Sequence, residues 1–215
     1  MLPGLIFDLD GTLVDSLPGI AASLNRALAA LGFPGHEESA VRGFIGNGSL
    51  ELARRALPDG ADQAAAVEAL FKDDYALTWA SGTSPYPGIP ECLNALHAAG
   101  HPLAVLSNKP HPFTAEIVAR LFPGIPIDPV LGQRPEIPRK PHPEAALQIV
   151  RQWQRTPAQC CFIGDSTVDL ATARAAGIPS LAVTWGYHDA TDLRAAEPAF
   201  MVDSVAALAT IPALS

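Results

Sequence analysis

Asp8-Leu9-Asp10-Gly11-Thr12 sets two carboxylates two residues apart, directly after the apolar run Leu5-Ile6-Phe7. In an extended chain residues i and i+2 face the same way, so the pair converges unless the turn at Gly11 rotates the second aside. Two such carboxylates repel, and something positive must lie between them. Three later stretches carry matching chemistry. Ser107-Asn108-Lys109 follows the apolar run Leu103-Ala104-Val105-Leu106, Lys140 precedes Pro141-His142-Pro143, and Gly164-Asp165-Ser166-Thr167-Val168-Asp169 follows Cys160-Cys161-Phe162-Ile163. Asp8, Asp10, Asp165 and Asp169 are hard oxygen ligands whose charge Lys140 only partly offsets, the donor set of a Mg2+ site. A carboxylate can accept a phosphoryl group, and a metal and a lysine offset the charge that would repel the phosphate. The residues therefore suit phosphoryl transfer, with Thr12 and Ser107 adding hydroxyl groups.

These residues can meet only if strands and turns bring them together. Short apolar runs predict strands at Leu5-Phe7, Leu103-Leu106, Pro129-Leu131, Cys160-Ile163, Ser180-Thr184 and Phe200-Val202, with helices between most of them. From about Leu17 to Ala80 the pattern is helical instead, with Ile20, Leu24, Ala27, Leu28 and Leu31 at helical spacing. Alternating β and α elements imply an α/β fold: a Rossmann-like parallel sheet with helices on both faces. The all-helical stretch is then a cap inserted after the first strand. The expected division is a discontinuous core of residues 1–15 and 83–215 and a helical cap of residues 16–82, joined through the Gly- and Pro-rich Ser81-Gly88. Ligands of open α/β sheets sit at the carboxyl ends of strands, where the acidic residues fall.

The composition narrows the function. Of 215 residues 48% are hydrophobic and 17% charged, against roughly 25% charged in an average domain, so there is much to bury. Fourteen Lys and Arg against 22 Asp and Glu give a net charge of -8, which disfavours a sequence-independent grip on nucleic acid or an anionic membrane. Lysine is scarce, confined to Lys72, Lys109 and Lys140. No apolar run reaches membrane-spanning length and the first residues lack a basic, signal-like region, so a cytoplasmic protein is expected. Cys92, Cys160 and Cys161 form no C-x-x-C pair and are expected to be reduced core residues. The six histidines show no metal-binding spacing, and Trp79, Trp153 and Trp185 are expected in packing.

Taken in order, Asp8-x-Asp10-Gly11-Thr12, Ser107, Lys140 and Gly164-Asp165-x-x-x-Asp169 resemble the four motifs of the haloacid dehalogenase-like hydrolases, and the insertion after the first motif is similar to members with a small helical cap. The resemblance implies that Asp8 is the nucleophile and a Mg2+ ligand, and that Asp10 is the acid and base with its carbonyl on the metal. It implies that Asp165 ligates the metal and that Asp169 supports the metal or Lys140. Thr12, Ser107 and Asn108 would bind phosphate, and Lys140 would neutralise it. An Asp at position 10 favours phosphate-ester hydrolysis over dehalogenation, because a departing halide needs no proton. The cap stretch Phe44-Ile45-Gly46-Asn47-Gly48-Ser49, with Tyr86-Pro87-Gly88 and Ser107-Asn108-Lys109-Pro110, resembles bacterial phosphoglycolate phosphatases, which implies 2-phosphoglycolate as the first substrate to consider. Gly46 and Asn47 would then present backbone N–H groups to the substrate carboxylate, and Arg42 or Lys109 is a further candidate contact.

Plainer roles are available for each residue. Asp8 and Asp10 could shape a turn, Asp165 and Asp169 could cap a helix, Gly46-Asn47-Gly48 could merely turn, and Lys109 could be a loop charge. Two rivals to a phosphatase share the fold, a sugar-phosphate mutase and a non-catalytic regulatory or binding protein. The oligomeric state, monomer or homodimer, is left open by the sequence.

Overall fold

Leu5, Ile6 and Phe7 are all buried, as expected of a strand covered on both faces, and the faces they cover differ. In the computed structural model, which describes residues 2–208, Leu5 and Phe7 join one apolar cluster and Ile6 another. The elements run β1 (Gly4–Phe7), β2 (Val14–Asp15), α1 (Leu17–Ala30), α2 (Glu38–Arg42), α3 (Ser49–Arg55), α4 (Ala64–Thr78) and β3 (Ser84–Pro85). Then follow α5 (Ile89–Ala99), β4 (Leu103–Pro110), α6 (His111–Leu121), β5 (Ile127–Gln133), α7 (Glu144–Gln152), β6 (Cys160–Gly164), α8 (Thr167–Ala176), β7 (Ser180–Val183), α9 (Ala190–Ala195), β8 (Phe200–Val202) and α10 (Val205–Leu208). Met1 and residues 209–215, the two ends of the expected core segments, lie outside the described residues.

Six strands pair in parallel in the order β5-β4-β1-β6-β7-β8. Ile117 and Val118 of α6 and Leu93 and Leu96 of α5 pack with Leu103, Val105, Cys161 and Ile163 on one face. Ala145, Ile149 and Val150 of α7 and Ala173 and Ala176 of α8 pack with Ala104, Leu106, Cys160 and Phe162 on the other. The fold is the α/β class that the alternating pattern predicts. Because β1 lies between β4 and β6, the chain leaves it toward one side of the sheet and later returns on the other, which opens a crevice at the carboxyl ends of these three strands. Register makes that crevice chemical: Phe7 is level with Val105 and with Ile163, so Asp8, Ser107 and Asp165 emerge at one edge.

The chain leaves and rejoins the sheet through a two-residue antiparallel ribbon, Val14 opposite Pro85 and Asp15 opposite Ser84, which periodicity alone does not reveal. The four helices between pack on one another, and Val67, Phe71, Tyr75 and Trp79 continue the apolar cluster of the sheet face. Strand boundaries differ from expectation: β4 runs on to Pro110, so Ser107, Asn108 and Lys109 are strand residues, β5 extends past Pro129-Leu131 at both ends, and β7 stops at Val183, one residue before Thr184; the helix that follows Lys140 starts at Glu144. All three cysteines are buried and free.

Candidate active site

Asp8 is the first residue past β1, and its N–H continues the sheet by donating to the Ile163 carbonyl at 2.9 Å. Its Oδ1 takes the Leu9 N–H at 2.7 Å and lies 2.9 Å from Lys140 Nζ. The same ammonium donates to Asp169 Oδ1 at 2.7 Å, so Lys140 bridges the ends of β1 and β6. Asp169 is fully buried, and its Oδ2 accepts from the Ser166 hydroxyl at 2.6 Å while Ser166 Oγ caps the start of α8. Both a capping role and an ionic role are therefore filled by Asp169 at once. Asp165 accepts from Thr12 Oγ1 at 2.9 Å and from the Tyr187 N–H at 2.7 Å. Gly11 (φ +85) brings its backbone so close to Asp165 that a Cβ there would collide with the carboxylate.

Oxygens of Asp8, Asp165 and Asp169 lie within 4.8 Å of one another, all buried. Burial first, then repulsion from Asp169, raises the Asp8 carboxyl well above the usual range against the pull of Lys140. The same two causes push Asp165 up to about 7. Burial by itself would lower the Lys140 ammonium, but Asp169 and Asp8 outweigh it and hold it above its ordinary value. Ionised together, Asp8, Asp10, Asp165 and Asp169 would face only two ammonium groups, Lys140 and Lys109, an excess of two negative charges that the raised Asp8 and Asp165 carboxyls register. Buried oxygen donors with that excess fit a divalent hard cation such as Mg2+. Asp8, whose two partners both sit on Oδ1, and Asp165, whose oxygens accept from the neutral Thr12 hydroxyl and Tyr187 N–H, are better placed to hold it than Asp169, whose Oδ1 is tied to the Lys140 ammonium and Oδ2 to Ser166. The Asp10 carboxylate, grouped with the metal set from sequence, is directed elsewhere: its Oδ1 accepts from Ser16 Oγ at 2.5 Å and from Lys109 Nζ at 2.9 Å.

Above these carboxylates lies a cleft with an interior volume of about 70 Å3. Asp8, Asp10, Ser107, Asn108, Lys109, Lys140 and Asp165 line its floor, with Gly46, Gly48, Phe71 and Tyr75 among the residues above. The other expected residues serve differently. Thr12 lies beneath the cleft and orients Asp165. Asn108 Nδ2 donates to the Gly46 carbonyl at 2.9 Å and to the Lys140 carbonyl at 3.0 Å, tying the loop to the core. Gly46 thus meets the core through its carbonyl, and Asn47 does the same by accepting from Arg139 Nη1 at 2.5 Å. Arg42 donates to the carbonyls of Tyr187 and Gly186 and does not line the cleft. Lys109 is a buried strand lysine with its ammonium 4.6 Å above the Tyr75 ring. Sequence reasoning missed Ser16, Tyr75, Tyr187 and His188 as cleft or supporting residues; only Ser16 carried a signal, its position at the start of a predicted helix just after the first motif.

A family model for haloacid dehalogenase-like hydrolases matches residues 2–177. The chain is 36% identical to a phosphoglycolate phosphatase of Vibrio vulnificus over 98% of its own length and 96% of that protein. It is 37% identical to a phosphoglycolate phosphatase of Pseudomonas putida, over 96% of this chain and 79% of the other. A crystal structure from Lactobacillus delbrueckii subsp. bulgaricus superimposes with a TM-score of 0.90 at 29% identity, covering 97% of this chain and 98% of that one. A haloacid dehalogenase-like family hydrolase from Streptococcus pneumoniae does so with a TM-score of 0.87 at 27% identity, covering 96% of each. The chain belongs to the haloacid dehalogenase-like hydrolase family. It is an enzyme of the phosphatase class, and no helix among the described residues is long and apolar enough to cross a membrane.

Proposed function

We propose that the protein is a Mg2+-dependent phosphatase that hydrolyses a small phosphomonoester, 2-phosphoglycolate first, through an aspartyl phosphate on Asp8. The supporting observation is the Asp8 carboxylate itself: both of its hydrogen-bonded partners, Leu9 N–H and Lys140, sit on Oδ1, which leaves Oδ2 as the oxygen to attack from the cleft floor. The Asp8 oxygen forms a bond to phosphorus as the ester oxygen leaves, and Asp10 gives that oxygen a proton. Asp10, protonated at the outset and now ionised, then takes a proton from water as water displaces Asp8 from phosphorus, releasing phosphate and restoring the Asp8 carboxylate and the protonated Asp10. Bound by Asp8 and Asp165, Mg2+ would supply charge neutralisation at the phosphate. Lys140 adds a fixed positive charge in a buried setting, where it acts most strongly. Uncatalysed phosphomonoester hydrolysis is slow enough that the site must lower the barrier by more than about 20 kcal/mol.

Substrate choice rests on the cap. We read residues 16–82 as a cap over a core of 1–15 and 83–215, supported by the ribbon of β2 and β3 at the crossing. Of the two cations put forward for the substrate carboxylate, Lys109 lines the cleft and Arg42 does not. The names of the relatives from Vibrio and Pseudomonas favour phosphoglycolate. The partner of the protein in this reading, monomer or homodimer, is the small phosphomonoester, and the charge of -8 disfavours nucleic-acid or anionic-membrane partners of a cytoplasmic enzyme. A phosphate-release screen over small phosphomonoesters with and without Mg2+ tests it. Release from 2-phosphoglycolate that stops on chelation is expected. An inert protein would revive a binding role, and an isomerised sugar phosphate a mutase.

A further inference from the structure

The segment Trp185-Gly186-Tyr187, which follows β7, has no part in the reaction as drawn, yet it touches both ends of the catalytic apparatus. The Tyr187 N–H donates to Asp165 Oδ2 at 2.7 Å, while Thr12 holds the other oxygen, so the carboxylate plane is set from two sides. The Tyr187 hydroxyl accepts from the Ser16 N–H at 2.9 Å and lies 3.2 Å from Ser16 Oγ. Ser16 stands at the N-cap of α1 but does not cap it with its side chain; the hydroxyl is given to Asp10. From the cap side Arg42, the last residue of α2, donates through Nε to the Tyr187 carbonyl at 2.6 Å and through Nη2 to the Gly186 carbonyl at 3.0 Å.

We propose that Tyr187 is a positioning residue through which Arg42 of the cap couples cap closure to the orientation of Asp165 and Asp10. This rests on the reading of Asp165 as a metal ligand and Asp10 as the acid and base. The Gly186 carbonyl and the Tyr187 N–H are the two ends of one peptide plane. Arg42 pulls on the oxygen and Asp165 receives the hydrogen, so the guanidinium both fixes the plane and polarises the N–H toward the carboxylate. Opening the cap breaks the Arg42 bonds and frees that plane to rotate. The phenol acts on the other carboxylate, through Ser16.

The two contacts are separable. Arg42→Ala is expected to weaken Mg2+ binding, measured by calorimetry without substrate, by about tenfold and to lower kcat, with Arg42→Lys recovering part of both. Tyr187→Phe keeps the backbone N–H and is expected to leave Mg2+ affinity within about twofold of the parent while lowering kcat about tenfold. Turnover is read on 2-phosphoglycolate, or on p-nitrophenyl phosphate if that is not turned over. A change in KM alone for Arg42→Ala would make Arg42 a substrate contact and overturn the proposal, as would parental kcat in Tyr187→Phe. If Arg42→Ala fails to fold, Arg42→Lys and Tyr187→Phe still decide. Turnover surviving in Asp8→Asn would sink the reaction reading by itself, and the calorimetric comparison would stand apart from it.

Discussion

The carboxylate cluster and the cap loop above it are held by opposite means. At the strand ends the charge-bearing contacts are between side chains, Lys140 with Asp8 and Asp169 and Lys109 with Asp10, joined by Thr12 on Asp165 and by backbone N–H groups of Leu9 and Tyr187. In the cap loop the contacts that reach the core go through backbone carbonyls, Gly46 to Asn108 and Asn47 to Arg139. The first kind of site is written in residue types and breaks when one charge is removed. The second is written in backbone shape, so a core variant should abolish chemistry where a cap variant only degrades it.

Asp8→Asn is the strongest challenge to that contrast. It removes the proposed nucleophile and should lower kcat by at least about 10⁴-fold, while relieving repulsion with Asp169 and Asp165, so the unfolding midpoint without Mg2+ should stay level or rise. A fall in the midpoint would show that the charge stabilises the fold. Lys140→Met should hit both activity and stability, since it leaves the fully buried Asp169 and its neighbour Asp8 without their shared cation; a loss of about 3 kcal/mol in denaturant unfolding is expected, and a neutral result would contradict the bridge. Asn108→Ala lies on the boundary between the two regions. It frees the Gly46 carbonyl and the Lys140 backbone together, and should cut kcat/KM about tenfold with Asp8 chemistry intact, read as normal Mg2+ affinity with a raised KM.

The smallest effect belongs to the far side of the cap, where Arg26 grips Asp74 with two bonds of 2.8 and 2.6 Å. The side-chain hydrogen bond from Arg26 holds the Asp74 carboxyl down to about 2. A depressed carboxylate stabilises the fold above its unfolded value near ~3.9 and loses that contribution as pH falls through its folded value. Arg26→Met should therefore cost about 0.5 kcal/mol at pH 7, because the pair is largely solvated, and the difference from the parent should fade toward pH 2 in a thermal unfolding series.

Much of the floor of the candidate site was legible because its residues sit just after runs whose strand character is local. Leu5-Ile6-Phe7 and Cys160-Cys161-Phe162-Ile163 announce buried strands, and a parallel sheet puts the residues that follow them at one edge. The extent of β4 was not legible, since Ser107-Asn108-Lys109 has no strand-like composition and is spanned only by the pairs with β5 on either side of it, at Leu106 and Pro110, across a register shift. Arg42 shows the same limit: its sequence neighbourhood says cationic and near a cleft, and only the packed cap shows that it is spent on two carbonyls.

The residue types and spacings by themselves determined the α/β class, the helical insertion after β1, and which carboxylates and lysine share a site, because these follow from periodicity and from the geometry of strand ends. Tertiary structure alone decided that the Asp10 carboxylate pairs with Lys109 and Ser16, that Thr12 supports Asp165, and that the backbone around Tyr187 meets both Asp165 and Arg42. The pairings of Asp10 with Lys109 and of Tyr187 with Asp165 and Arg42 join residues far apart in the chain. The first and the Tyr187–Asp165 contact depend on which strands are neighbours in the sheet, the Arg42 contact on how the helical segment packs against it, and local propensity carries no information about either.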